Sequence, residues 1–494
     1  MYVNIEKTNA RGVFMLAFFR RIFSIVLSFI VGFVTYPVSY IPSKLDIDFD
    51  IVSGAFTEAS VTLNGEDEAI ILGDGVTLED GSLILDNTAD FSFKDTTHGW
   101  YNYYGISYTT DAYIKGEISY RCGVADRAEE FFLEPGENKS FYSFINNMLD
   151  GTKANMIYSL SFEALDKENA SISINGISLF NREIPEEYVY IQTDEYKIGV
   201  NLLWGGALSY MEDLNSAVEA VEVDGRIFVD SNAGERYNAS VVSKNVNLIN
   251  RADTGRLVQQ SYYGAQNSPE YENGEYMGNV WAYNPVQGGN QFNDNSKIVD
   301  VRYDENSIYI KCQPLDWAKT KENITPSYME ATYGIESNKL HVSCRFVDFS
   351  GYSSIPCDQE IPAFYCIEPF NRFVYYGGEN PWTDEALTIE PDLIFWPDAG
   401  YPKFNSPESW SAFIGEYDDS FGIGVYVPGE TEFLSGVFNR EATTNPDPSV
   451  DGTTSYIAVI RVNELKSYSP FEYDYYLTTG TADEIRNNFK EIAQ

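Results

Sequence analysis

The chain has 494 residues, with 74 acidic against 33 basic side chains and a formal charge of −41. That balance excludes nucleic acid and anionic membrane surfaces as partners, because both need clustered Lys and Arg. A hydrophobic content of 44% supports a sizeable core, the length admits two or three domains, and 15% aromatic residues favour strands.

Residues 1–21 carry Lys7, Arg11, Arg20 and Arg21, and Ile22–Ile41 then runs without a charge. A basic flank before an apolar run reads as a signal peptide or membrane anchor over 1–44, with the N-terminus cytoplasmic. The expected location is extracellular or at the cell surface, with membrane contact only through this segment. Next, LDIDFD places Asp46, Asp48 and Asp50 on one strand face. A solvated face is the expectation, since calcium would need further oxygen ligands. Short alternating strands between turns, such as SVTLNG, GSLILDN and ASISING, predict a β-sandwich domain over 45–187. It is comparable to a carbohydrate-binding module. The run HGWYNYYG, with Trp100, Tyr101, Tyr103 and Tyr104, fits either a sugar platform or an aromatic edge packed on its own sheet.

Near Pro185 the strand pattern breaks, and it restarts with YKIGVNLLWGGALSYMED, a strand, a Gly-Gly turn and a strand. From there alternation dominates. One helix is expected, after the capping box Thr481-Ala482-Asp483-Glu484. Nearly 300 residues of strand pattern exceed a seven-strand sandwich and predict a large two-sheet domain over 188–494. The fold class is all-β.

Two polar turns interrupt this second region. Asn250–Gly264 reads NRADTGRLVQQSYYG and Tyr283–Gln291 reads YNPVQGGNQ. Arginine, aspartate and glutamine side by side suit a surface that holds hydroxyls, and tyrosine offers a ring face with a polar tip. Both stretches also suit ordinary turns. Only two histidines occur, His98 and His341, and HExxH is absent, so acid–base work falls to carboxylates or tyrosines. The five cysteines include no C-x-x-C, so no metal site or disulfide scaffold is indicated, and no cofactor is expected.

The ordered set resembles galactose-mutarotase-like proteins over about 190–480. GVNLLWGGALSYMED is similar to their opening hairpin, and Gly255-Arg256 to the Gly-Arg of their sugar-binding turn. PVQGGNQF is similar to their His-Gly-Gly turn, and YMEATYGIESNKLHVSCRFVDFSG to a later strand pair. Gln259 and Gln260 stand where the family has Asn-Arg, Gln287 stands in place of its histidine, and Glu360 lies roughly where a mutarotase carries its acid. The resemblance implies a β-supersandwich with a sugar site on its concave face.

The expected site takes Asp253, Glu330 and Glu360 as acid–base candidates, since glycosidic cleavage uses paired carboxylates. Each also has a structural reading: Asp253 as a partner of Arg251 and Arg256, Glu360 as a charge in an exposed turn. Arg251, Arg256, Gln259, Gln260 and Gln287 would hold substrate oxygens, while Tyr262, Tyr263 and Trp281 would stack on the ring. The expected function is an exported glycoside hydrolase. A lyase with a tyrosine base, a non-catalytic surface glycan binder and a sugar epimerase are the alternatives.

Overall fold

The computed structural model describes residues 61–493 apart from 64–68, 95–97, 147, 152, 184, 266–272, 321–323, 392, 396–401 and 439–441. Residues 1–44, read above as a targeting segment, the expected strand with Asp46, Asp48 and Asp50, and Ile184 therefore lie outside the described residues. Among those described, no helix is long and apolar enough to cross a membrane.

Residues 61–180 form two six-stranded antiparallel sheets. One has Tyr103–Thr110 and Ile172–Phe180 at its centre and Gly136–Phe144 at one edge. The other is built on Thr88–Phe93, Ile114–Cys122 and Ala154–Ala164. Period-2 alternation drives the packing: Ala89, Phe91 and Phe93 point inward while Thr88 and Asp90 face water. Tyr101, Tyr103 and Tyr104 of the aromatic run are buried, whereas Trp100 is exposed.

Sheet membership changes between Phe180 and Tyr188. A ten-stranded sheet then runs in the order Tyr188–Gln192, Tyr196–Asn201, Ala207–Asp213, Val258–Ser261, Cys357–Ile367, Thr454–Asn463, Glu432–Phe438, Lys403–Asn405. Two short strands, Pro285–Val286 and Leu315–Asp316, extend it beside Val258–Ser261. A nine-stranded sheet packs face to face with it, centred on Ser307–Gln313, Ser327–Glu336, Lys339–Asp348 and Phe471–Gly480. Between them lies a core that includes Ile198, Leu208, Val258, Tyr262, Met329, Phe346, Phe364 and Ile457. The Gly-Gly turn is as expected: Gly205 and Gly206 adopt φ of 57° and 67°, and a Cβ on Gly205 would sit 1.9 Å from the Gln287 carbonyl oxygen.

The C-terminal helix Ala482–Ala493 starts at the expected capping box. The Thr481 N–H donates to Glu484 Oε2 at 2.8 Å, and the Glu484 N–H returns to the Thr481 hydroxyl at 3.4 Å. Ile485 and Phe489 bury against Trp410 and Tyr426. A second short helix, Ala233–Arg236, has no counterpart in the sequence reading.

The outer face of the nine-stranded sheet is covered by the first sandwich. Tyr328, Val347 and Phe349 belong to the same apolar cluster as Phe132 and Phe141, with the Phe132 and Phe349 rings stacked at 4.9 Å. Polar groups seal the seam: Tyr103 donates to Asp300 at 2.7 Å, Arg182 pairs with Asp300 at 3.2 Å and Lys297 with Glu129 at 2.9 Å.

Candidate functional site

The turn Asn250–Leu257 precedes Val258–Ser261, and the chain then alternates. Val258, Gln260 and Tyr262 point into the core, while Gln259, Ser261 and Tyr263 border a cavity on the other face of the ten-stranded sheet. The neighbouring strand Cys357–Ile367 pairs Ser261 with Glu360 and Gln259 with Ala363. A bulge lies between Glu360 and Ala363 on the side facing Thr454–Asn463. It resets the alternation, so Glu360, Ala363 and Tyr365 share the cavity face while Ile361 and Phe364 stay in the core. Tyr456 stands opposite Tyr365 on the next strand.

The cavity has a volume of about 290 Å³. Its roof comes from the two-stranded hairpin Gly274–Tyr276 and Asn279–Trp281, whose Tyr276 and Trp281 rings meet edge to face at 5.2 Å. Trp317 packs on Tyr276 at 5.6 Å and lies over Gly255, where a Cβ would come within 2.4 Å of the indole. Phe395 and Phe438 close the far wall, and Asn284 donates to the Tyr262 carbonyl at 2.7 Å from the near one.

Glu360 sits among hydroxyls. Tyr456 donates to Oε1, and Tyr263 and Ser261 also hydrogen-bond the carboxyl. Burial disfavours its charged form and outweighs those hydrogen bonds, so its pKa is pushed up to about 7. Burial likewise drives the hydroxyls of Tyr263, Tyr365 and Tyr456 well above the usual tyrosine range. Asp253 lines the same cavity. It accepts the Gly255 N–H at 3.0 Å and an ion pair from Arg256, whose other terminal nitrogen donates to the Gly452 carbonyl at 2.6 Å. Among the described lining residues, Arg256 is the sole cation.

Of the residues expected from sequence, Asp253, Glu360, Arg256, Gln259, Tyr263 and Trp281 are brought together at this cavity. Gln259 mainly fastens the turn, accepting the Gly288 N–H at 2.7 Å and donating to Thr254 at 3.0 Å. The other five lie elsewhere. Glu330 is on the outer face of the nine-stranded sheet, beneath the first sandwich, paired with Lys311 at 3.5 Å and Arg345 at 3.1 Å. Burial alone would raise its pKa, but the two cations win and hold it at about 2. Tyr262 is fully buried against Phe346 and Phe471, so it presents no face to a ligand. Gln260 reaches the Glu330 carbonyl at 2.8 Å, and Gln287 donates to Gly205 at 3.2 Å and to the Tyr333 hydroxyl at 3.4 Å; the bonds to Glu330 and Tyr333 tie the two sheets together. Arg251 turns away to Ser449, Tyr188 and Asp447. His341 bonds Glu336 and Asp474 on the nine-stranded sheet.

Tyr276, Trp317, Tyr365 and Tyr456 line the cavity without having been singled out from sequence. The first had a legible signal, since EYMGNVW is a hairpin with aromatic shoulders. Tyr365 and Tyr456 come from strands distant in sequence, and Trp317 from the turn after Leu315–Asp316. Among the described residues no group of His, Cys, Asp and Glu is arranged to hold a metal ion.

No family model matches the chain, and no curated protein does. Among solved structures it is similar to a galactose mutarotase related enzyme from Lactobacillus acidophilus, at 11% identity and a TM-score of 0.35, over 60% of this chain and 99% of that one. It is similar to a GH36 alpha-galactosidase from Geobacillus stearothermophilus at 12% identity and a TM-score of 0.32, over 60% of this chain and 40% of that one. An alpha-mannosidase from Enterococcus faecalis matches at 9% identity and a TM-score of 0.31, over 85% of this chain and 44% of that one.

Proposed function

We propose that the chain is an exported carbohydrate-active enzyme that cleaves a glycosidic bond in the cavity around Glu360. The observation that carries this reading is a carboxyl with a pKa of about 7 set into an aromatic-walled cavity. Such a group holds a proton near neutrality and gives it up readily, which is what a general acid needs. Tyr276, Trp281 and Trp317 offer ring faces and edges to the apolar side of a pyranose, as few polar groups fix its orientation. Glu360 gives its proton to the glycosidic oxygen as the bond to the anomeric carbon breaks. Asp253 is the second carboxylate on the cavity and takes a proton from the incoming water. The tyrosines are held protonated by burial, which disfavours the tyrosinate base of a lyase.

The test is a panel of neutral plant and microbial glycans, with reducing ends as the readout. Wild-type protein should release them and Glu360→Gln should be at least a hundred-fold slower, the usual scale of acid–base assistance. No release from any glycan would end the hydrolase reading. A non-catalytic glycan binder is the second reading. It is supported by Asp253, whose two oxygens are both engaged by its own turn. Binding without release would establish it, and anomer interconversion by NMR would instead show an epimerase. Export rests on the basic flank and apolar run within residues 1–44. Removing 1–44 should leave a folded protein that stays inside the cell.

A further inference from the structure

We infer that Asp253 masks the charge of Arg256, and that this makes the cavity select uncharged sugars over uronates. The inference rests on the sugar-binding reading above and names the substrate class of that site.

An anionic sugar needs a cation with free donors, in most cases an arginine that can offer its planar fork. Arg256 is the sole cation among the described lining residues; both its terminal nitrogens are engaged, and its Nε is buried away from the cavity without a partner. One terminal nitrogen pairs with Asp253 and the other donates to the Gly452 carbonyl at 2.6 Å. The guanidinium also lies over the Phe438 ring at 5.8 Å, which fixes its plane. Asp253 is in turn held by the Gly255 N–H at 3.0 Å, so the pair is set by the turn itself. Its side chains are 12% exposed for Arg256 and 33% for Asp253, which leaves the aspartate as the more accessible half.

The remaining charged group is Glu360, whose partners are the hydroxyls of Tyr456, Tyr263 and Ser261. No cation is paired with it among the described residues. A uronate would therefore meet the Asp253 carboxylate, the cation-free Glu360 carboxyl and a neutralised arginine, in a chain of formal charge −41. Leaving its own carboxylate desolvated and unpaired is costly. A neutral ring meets hydroxyl, amide and aromatic groups and incurs no such cost.

The experiment compares D-glucose and D-galactose with D-glucuronate and D-galacturonate at pH 7, by saturation-transfer NMR and titration, on wild-type protein, Asp253→Asn and Arg256→Gln. Wild type should bind the better neutral sugar at least ten-fold tighter than either uronate. Asp253→Asn releases the guanidinium and should narrow that ratio at least ten-fold, or invert it. Arg256→Gln should leave uronate binding undetectable. Uronate binding equal to or tighter than neutral binding in the wild type overturns the inference without any variant, and leaves the sugar site standing. An unchanged ratio in folded Asp253→Asn overturns it as well. If neither kind of sugar binds, both the sugar reading and this inference fall.

Discussion

Glu360 is the residue on which most of the chemistry turns, and its environment makes a prediction independent of any substrate. Its folded pKa of about 7 stands above its ordinary 4.5, so between those values the folded chain binds more protons than the unfolded one. Its contribution to stability is therefore present at low pH and is lost as pH rises through about 7. Each pH unit in that window costs about 1.4 kcal/mol, giving about 3 kcal/mol in all. Glu360→Gln should be close to neutral at pH 4.5 and stabilising by up to about 3 kcal/mol at pH 8. Denaturant melts across that range check it; a difference that does not grow with pH would mean the carboxyl is not desolvated as described. Glu330 behaves oppositely. Lys311 and Arg345 hold it at about 2, so its contribution persists until strong acid.

At the scale of elements, the turn Asn250–Leu257 and the hairpin 274–281 are coupled through Trp317. Trp317 lies over Gly255, and Tyr276 lies against Trp317. Gly255→Ala would place a methyl 2.4 Å from the indole, which has to swing away. The expected cost is about 1–3 kcal/mol of stability, the usual range for overpacking. Sugar affinity should fall with it, because Tyr276 loses its support. Tryptophan fluorescence and near-UV circular dichroism should change in the same variant, and an unaltered spectrum with normal affinity would separate the two elements. Alternation within the strand after this turn was already readable. It divides Gln259, Ser261 and Tyr263 from Gln260 and Tyr262, so the five polar residues could never share one surface. The bulge after Glu360 was not readable, because an extra residue in one strand is defined only against its partner.

The two sandwiches meet through a buried seam, and its behaviour is a property of the whole molecule. Arg345 binds Glu134 of the first sandwich together with Glu330 and Glu472 of the second. Arg345→Leu should cost about 1–3 kcal/mol, since it strands two part-buried carboxylates, Glu134 and Glu330, while Glu472 is exposed. Sugar binding should survive, because Glu330 lies beneath the first sandwich and does not line the cavity. A loss of binding at full stability would put Glu330 back into the site. Cleavage within residues 181–187 should leave both halves associated on a sizing column, held by Phe132, Tyr328 and Phe349. Separation into two soluble halves under native conditions would show the seam to be weak.

Composition and period-2 patterning by themselves determined the all-β class, the large two-sheet sandwich and the capped C-terminal helix, because these are local properties of the chain. They also marked the Asn250–Gly264 turn, since Asp253, Gly255 and Arg256 form a single local loop. What only tertiary structure decided is which residues meet there. Tyr365 and Tyr456 come from neighbouring strands, Trp317 from a separate connection, and Glu330 is carried to the opposite face by the pairing of its sheet. Sheet pairing joins segments about a hundred residues apart through backbone hydrogen bonds, which are available to every residue type. A cavity assembled by such pairing therefore leaves little trace in the order of its side chains.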